Sequence, residues 1–425
     1  MILTEKHIIK KSNPFYCEMD KLCFLSKNLY NRANYIVRQE FIKSSGDKQL
    51  GLIEHANYFN YYDINKLMIN TNDCDYVRLP RKVSNQTLMS LDKNWKSFFA
   101  TIKDYSRNKS KYRGKPSLPS YKDKNGRYPV IYELGSISKT EIKNNIIKLS
   151  KTNIKIKTNV NINTLKQCRI IPKGNHYVVE VVYEKQENKL KENNNRYCSI
   201  DLGLNNLACI GSNVIKPIII NGKPLKSINQ YYNKKMGKFK SDLNHYTNKR
   251  GEKIQLKTSK RINNLTNKRN NKINDYLHKS SRYIINHLVF NNINTIIIGN
   301  NREWKQDINI GKRNNQNFVN IPHSRFIEML LYKAKLEGIT VMVNEESYTS
   351  KCSFIDNEEI CKHEIYCGSR VKRGLFKSKS GGLINADLNG SLNILRKAVP
   401  NIGKMIVNNG IEVIAVSPIV STINW

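Results

Sequence analysis

Leu3–Ile9, at the start of the chain, predicts a short strand. Leu22, Leu25, Leu29, Ala33 and Ile36 then recur at helical spacing, and Val83–Ile102 continues the pattern, so this part of the chain is predicted mostly helical. From Pro129 to Tyr183 short β-rich runs alternate with turns. Ile154–Ile156, Cys168–Ile171 and Tyr177–Tyr183 are among them, and together they predict a small antiparallel barrel. Glu184 to Arg196 is polar and apolar-poor, a linker. Beyond it, Tyr197–Ile200 and Leu207–Ile210 predict a hairpin. Thr295–Ile298 and Thr340–Val343 predict two more strands, with a helix at Ser324–Leu336 between them and a closing helix near Asp387–Lys397. Strands followed by alternating strand and helix make an α/β domain, so the whole chain reads as α+β and multidomain. Its 425 residues exceed the roughly 250–300 at which one core stops growing.

The segments between the apolar runs are basic. Lys and Arg number 72 against 34 Asp and Glu, a net charge of +38 spread along the chain. Such a surface needs a polyanion, and nucleic acid fits best because neutralised phosphates release their counterions. A coating protein of the ribosomal or chromatin type would share the charge, but it needs no clustered acids. In Lys103–Tyr128, cations alternate with Tyr105, Tyr112, Tyr121 and Tyr128, broken by Gly114, Pro116 and Pro119. Rings that stack on unpaired bases beside cations that follow phosphates nominate Lys103, Tyr105, Tyr112, Arg113, Tyr121 and Arg127 as nucleic-acid contacts. Asn229–Tyr276 reads as basic and helical and would lie along a phosphate backbone. No stretch reaches the 18 or so apolar residues of a membrane span, the N-terminus lacks a signal-peptide core, and nine cysteines form no paired framework. The expected location is the cytoplasm.

In a chain so poor in carboxylates, an acid at the end of an apolar strand is costly unless it meets a cation. Asp201 follows Tyr197-Cys198-Ser199-Ile200, and Gly203 lets the chain turn back while leaving room beside the carboxylate. Asp387 opens the closing helix within Asn385-Ala386-Asp387-Leu388-Asn389-Gly390, either as a catalytic acid or as the helix N-cap. Two metal ions bridging a phosphodiester displacement need a third acid between these two. The strand Thr295–Ile298 runs into Gly299-Asn300-Asn301 with no acid before Glu303, whereas Thr340–Val343 runs into Glu345-Glu346, so Glu346 is favoured and Glu345 is the fallback. Oxygen ligands suit Mg²⁺, with Mn²⁺ as a substitute. Arg370, Lys372 and Arg373 form either a contact to the scissile strand and its phosphate or a solvated basic turn. Trp304 and His323 read as packing residues. Cys352, Cys361, His363 and Cys367 stand at irregular spacing without a Cys-x-x-Cys pair, which argues against a zinc site.

Asp201-Leu202-Gly203-Leu204-Asn205-Asn206-Leu207-Ala208, Tyr348-Thr349-Ser350-Lys351 and Asn385-Ala386-Asp387-Leu388-Asn389-Gly390-Ser391-Leu392-Asn393-Ile394, in that order, resemble the TnpB family. These are the OrfB-type transposon proteins related to type V CRISPR effectors and Fanzor, and the likeness spans nearly the whole chain. The resemblance implies a β-barrel wedge domain at residues 1–12 and 116–190 and an inserted helical recognition domain at 13–115. It further implies an RNase H-like RuvC domain at 191–425 with a small nuclease-lobe insertion at 351–383. It implies a bacterial, nucleoid-associated, Mg²⁺-dependent DNA endonuclease that cuts beside a short adjacent motif. The partners it implies are one guide RNA, of the omega or right-end type, per monomer and a target double-stranded DNA. Two departures stand out. The family's middle glutamate is missing after Ile298 and resembles the relocated form at Glu346, and the zinc finger of many relatives is degenerate. The alternatives are an RNA-guided DNA-binding repressor without cleavage and a CRISPR-type effector using a crRNA.

Overall fold

The computed structural model describes residues 1–50, 56–244, 258–301, 315–316, 321–372, 374–402, 418–421 and 423. The chain divides into two compact units, Met1–Lys185 and Gln186–Trp425.

The first unit opens on strand β1 (Ile2–Ile9) and continues through helices α1 (Tyr16–Gln49), α2 (Tyr61–Asn70), α3 (Cys74–Val77) and α4 (Arg81–Arg107). Strands β2 (Val130–Glu133), β3 (Ile146–Lys148), β4 (Lys155–Lys157), β5 (Leu165–Lys173) and β6 (His176–Glu184) follow, with helix α5 (Lys139–Lys143) between β2 and β3. The helical spacing that begins at Leu22 runs the length of α1, whose buried residues include Leu22, Leu25, Leu29 and Ala33. Those positions meet Val83, Leu88, Leu91 and Trp95 of α4 in a single core, and Trp95 satisfies its indole N–H on Asn34 Oδ1 at 3.1 Å. β1 pairs antiparallel with β6 along its whole length, from Ile2 opposite Glu184 to Ile9 opposite Tyr177. The first and last strands of the unit are therefore neighbours, and the helices lie between them in sequence.

The predicted barrel is not what forms. The strands make an open four-stranded sheet in the order β1-β6-β5-β2 and a separate two-stranded ladder, β3-β4, and no closed barrel occurs among the described residues. β2 has only four residues and β3 and β4 three each, too little strand to curl the sheet edges onto one another.

The second unit contains β7 (Tyr197–Leu202), β8 (Asn206–Ser212), β9 (Ile218–Asn221), α6 (Lys223–Asn244), α7 (Lys260–Phe290), β10 (Thr295–Gly299), α8 (His323–Leu336) and β11 (Thr340–Asn344). After these come β12 (Ser369–Lys372), β13 (Leu375–Lys377), β14 (Leu383–Asn385), α9 (Ala386–Ala398) and β15 (Ile419–Ser421). Its six-stranded sheet runs β11-β10-β7-β8-β9-β15. β7 and β8 form the antiparallel hairpin, while β10 lies parallel to both β7 and β11. All five residues of β10 are buried, as expected for a central strand covered on both faces. Ile296 and Ile298 pack with Leu277 and Leu288 of α7 and Phe326 and Leu330 of α8. Ile297, pointing the opposite way, packs with Leu392, Ile394 and Leu395 of α9. The result is a helix–sheet–helix sandwich. β15, which pairs parallel with β9, was not foreseen, because three residues carry too little periodicity to read. β12, β13 and β14 form a small antiparallel sheet whose last strand leads straight into α9.

Candidate functional site

Three acids meet at the carboxyl ends of β7 and β10. Asp201 is the fifth residue of β7, whose Ile200 pairs with Ile298 of β10, so the next position on β10 beside it is Gly299. A Cβ at Gly299 would stand 2.5 Å from Glu346 Oε2 and 2.5 Å from Ile394 Cδ1, so the Glu346 carboxylate lies over the bare backbone of Gly299. Asn301 helps hold it there, its Oδ1 accepting the Glu346 N–H at 3.2 Å. Asp387 enters from the other side on the first turn of α9. The N-cap is Asn385, whose Oδ1 accepts the N–H groups of Asp387 at 3.0 Å and Leu388 at 3.2 Å, so Asp387 is not the cap. Its Oδ2 instead accepts from Asn206 Nδ2 at 2.5 Å.

The space beside Asp201 comes from a glycine the sequence did not single out. A Cβ on Gly390 would stand 2.8 Å from Asp201 Oδ2, while one on Gly203 would strike the Asn206 carbonyl at 2.6 Å. Gly203 therefore serves the turn, and Gly390 serves the carboxylate. His323 supports the same turn, its buried Nε2 donating to the Gly203 carbonyl at 3.0 Å, which fits its reading as a packing residue.

Charge repulsion marks the cluster. Burial raises Asp201 well above the ordinary carboxylate range, and the neighbouring charges of Glu346 and Asp387 push it further up. Burial, then the charge of Glu345, pushes Glu346 up to about 7. Glu345 goes the other way. Lys397 Nζ binds its Oε2 at 2.7 Å and holds it below its usual range, and its side chain is 56% exposed. Only Glu346 of the pair belongs to the cluster.

The donor set is all oxygen, which fits a hard divalent cation such as Mg²⁺. The carboxylates do not all close to within 4.8 Å of one another; among the described residues only Asp73, Cys74 and Asp75 do, and Asp73 already pairs with Arg32 at 3.1 Å. A pair of ions roughly 3.5–4 Å apart spans a wider opening than one ion's cage. A divalent cation there changes the pH response. A carboxylate raised from its ordinary 4.5 to about 7 favours the fold at low pH and loses that contribution as pH climbs between those values. The melting temperature is therefore expected to rise more on adding Mg²⁺ at about pH 8 than at about pH 5. Equal rises at both would exclude Glu346 as a ligand.

Cys352 is buried with its Sγ on the Cys361 carbonyl at 3.7 Å, Cys361 Sγ lies 3.3 Å from His363 Nε2, and Cys367 is exposed. They form no group of close ligand atoms among the described residues. Arg370 Nη2 lies 4.0 Å from Asp387 Oδ1, Lys372 is exposed, and Arg373, like Glu303 and Trp304, falls outside the described residues.

The basic tyrosine-rich stretch is less loop-like than it reads. α4 carries Lys103 and Tyr105, and Tyr112 folds back onto Tyr105, ring centroids 5.7 Å apart, with its hydroxyl on Asp104. Lys103, Arg113 and Tyr121 are exposed, and Arg38 stacks on the Tyr121 ring at 4.9 Å. Arg127 is engaged internally, its guanidinium gripping Asp20 at 2.7 and 3.0 Å, and Tyr128 packs against Tyr30 at 4.7 Å. Both therefore contribute to the core of the unit.

Comparison with known proteins agrees with this layout. Residues 180–305 match the OrfB_IS605 family, described as a probable transposase, and residues 323–394 match the Cas12f1-like TNB domain. The TnpB-like protein ORF457 of Acidianus two-tailed virus is 24% identical over 413 residues, covering 90% of this chain and 83% of its own. The structure of a Cas12f1–sgRNA–target DNA complex aligns with a TM-score of 0.50 at 14% identity, over 88% of this chain and 82% of that one. Two family matches in tandem and a relative aligned along most of both chains make this chain similar to the TnpB-like proteins, and it shares the fold of the Cas12f1 structure.

Proposed function

We propose that the chain is an RNA-guided DNA endonuclease of a mobile element, cutting both strands of its target at one RuvC-like site. The carrying observation is the convergence of Asp201, Glu346 and Asp387 in a chain of net charge +38. Two buried carboxylates, Asp201 and Glu346, with Asp387 beside them at the end of a buried sheet have no structural reason to persist without a cation. The relatives support the rest, since the aligned Cas12f1 is a complex with guide RNA and target DNA. Under this reading, residues 1–12 and 116–190 form the wedge, residues 13–115 the recognition domain, and 191–425 the nuclease, with 351–383 as its inserted lobe.

Asp201, Glu346 and Asp387 would hold the Mg²⁺. When bound, Mg²⁺ supplies Lewis-acid polarisation of the scissile phosphate and a lowered pKa for the attacking water. Asp201 provides the floor of the site on a largely buried strand, and Gly390 keeps the approach to it open. Asn206 holds the Asp387 carboxylate in one orientation, so less freedom is lost when substrate arrives. Arg370, its side chain 52% exposed at the rim, meets negative charge growing on the phosphate. The guide selects sequence by base pairing, while Lys103, Arg113 and Tyr121 meet backbone or unpaired bases.

The test is to purify the chain with RNA transcribed from its own locus and assay plasmid cleavage in Mg²⁺. Wild type is expected to cut, and Asp201→Ala is expected to bind RNA and target without cutting. Equal cutting by Asp201→Ala would overturn the site, and target binding without cleavage by wild type would leave a binding-only protein.

A further inference from the structure

α9 buries polar side chains where apolar ones would be cheaper. Asn389 and Asn393 are fully buried and Arg396 is 8% exposed, although Leu388, Leu392 and Leu395 already supply the helix with an apolar face. Buried polar groups persist only with partners, and all of these partners lie in one segment, Thr349–Glu358. Asn393 Nδ2 donates to the carbonyls of Thr349 at 2.9 Å and Cys352 at 2.7 Å. Asn389 Nδ2 donates to the Cys352 carbonyl at 2.8 Å, and its Oδ1 accepts the Phe354 N–H at 2.9 Å. Arg396 Nη1 donates to Asn357 Oδ1 at 2.6 Å, and Nη2 donates to the Glu358 carbonyl.

That segment is tied at its start to the middle acid. Thr349 donates both its N–H and its hydroxyl to the Glu346 carbonyl, at 3.3 and 2.8 Å. Between them Tyr348 takes a left-handed φ of 66°, which costs a residue with a Cβ roughly 1–2 kcal/mol and holds only where the surroundings fix it. Asn393 Oδ1 is buried without a hydrogen-bond partner, so that amide is kept for its donor. The far end of the segment is tied separately. The Glu358 carboxylate accepts the Ser353 N–H at 2.6 Å and the Cys367 N–H at 2.8 Å, bracing the insertion.

We propose that Asn389, Asn393 and Arg396 are positioning residues for Glu346. They fix Thr349–Glu358 onto the helix whose first turn carries Asp387, and so set the separation of the two acids. The inference rests on the metal site of the proposed function. It also explains the spacing Asp387-x-Asn389-Gly390-x-x-Asn393 on one helix: an acid, a first tie, a clearance for Asp201 and a second tie one turn on.

The experiment measures Mn²⁺ binding by titration calorimetry on the full-length chain with its RNA, using Asp201→Ala as the blank for ions held by RNA. Asn389→Ala and Asn393→Ser are expected to weaken Mn²⁺ binding about tenfold, the lower end for residues that orient metal ligands, with RNA affinity within about twofold of wild type. Asn393→Ser keeps a hydroxyl donor, so a folded variant remains if alanine is not tolerated. In a Glu346→Ala background the same changes are expected to have no effect, since nothing is left to position. Equal weakening in both backgrounds, or none in the wild-type background, overturns the inference. If Glu346→Ala itself leaves Mn²⁺ binding unchanged, the metal site fails first and the ladder's role falls with it.

Discussion

Glu346→Ala is expected to reduce target cleavage by on the order of 10³-fold or more, while Glu345→Ala cuts within about twofold of wild type. The two residues are adjacent, both glutamates, and follow the same strand, so only their surroundings separate them. The Glu346 carboxylate lies over Gly299 and its charge raises Asp201. Glu345 points outward to Lys397, a pairing with a 56% exposed side chain of the kind that contributes about 0–1 kcal/mol. A metal ligand that stabilises developing charge contributes several kcal/mol, and each 1.36 kcal/mol is roughly tenfold in rate. Single-turnover cleavage by RNA-loaded protein measures the difference, with RNA and target binding as the control for folding. Undiminished cutting by Glu346→Ala would remove it from the site, and a comparable loss in Glu345→Ala would mean that the loop rather than the carboxylate is being read.

The strands and helices that were legible are those with long, regular patterns. β7, β8, β10, β11 and α8 announce themselves by apolar runs or helical spacing, and the hairpin of β7 and β8 follows from their short separation. Asp201 and Asp387 were legible for a different reason: a carboxylate beside apolar residues is expensive in any fold. What stayed hidden depends on partners far away in sequence. Whether β1, β5 and β6 close into a barrel is decided by pairing at the sheet edges, which periodicity does not encode. Arg127 reads as a free cation until Asp20, more than a hundred positions earlier, is brought to it. Nothing in the sequence marks Asn389 and Asn393 as interior, since asparagine is usually exposed, and only the carbonyls of Thr349 and Cys352 reveal them as such. Their spacing of four, one helical turn, was the available signal.

Gly299 was read as an absence, the strand end where an acid is missing. It is better described as the space that admits one. The second large effect follows: Gly299→Ala is expected to cost roughly 1–3 kcal/mol of stability as an overpacked site and to impair cleavage strongly, because its Cβ would meet Glu346 Oε2 and Ile394 Cδ1, each at 2.5 Å. Both atoms are side-chain tips, so each can shift, but a shift of Glu346 moves its carboxylate off Gly299, the position beside Asp201. Removing that carboxylate should therefore make room for a side chain on β10. In the double variant Gly299→Glu with Glu346→Ala, the new carboxylate starts beside Asp201, on the strand parallel to its own, and reaches toward the space Glu346 gave up. Cleavage by this variant is expected to exceed that of Glu346→Ala alone, while Gly299→Glu with Glu346 retained crowds two carboxylates onto one spot and stays inactive. If the double variant melts cooperatively, binds its RNA and still cuts no better than Glu346→Ala, then what the site requires is the position of the β11 loop, and the carboxylate alone does not suffice.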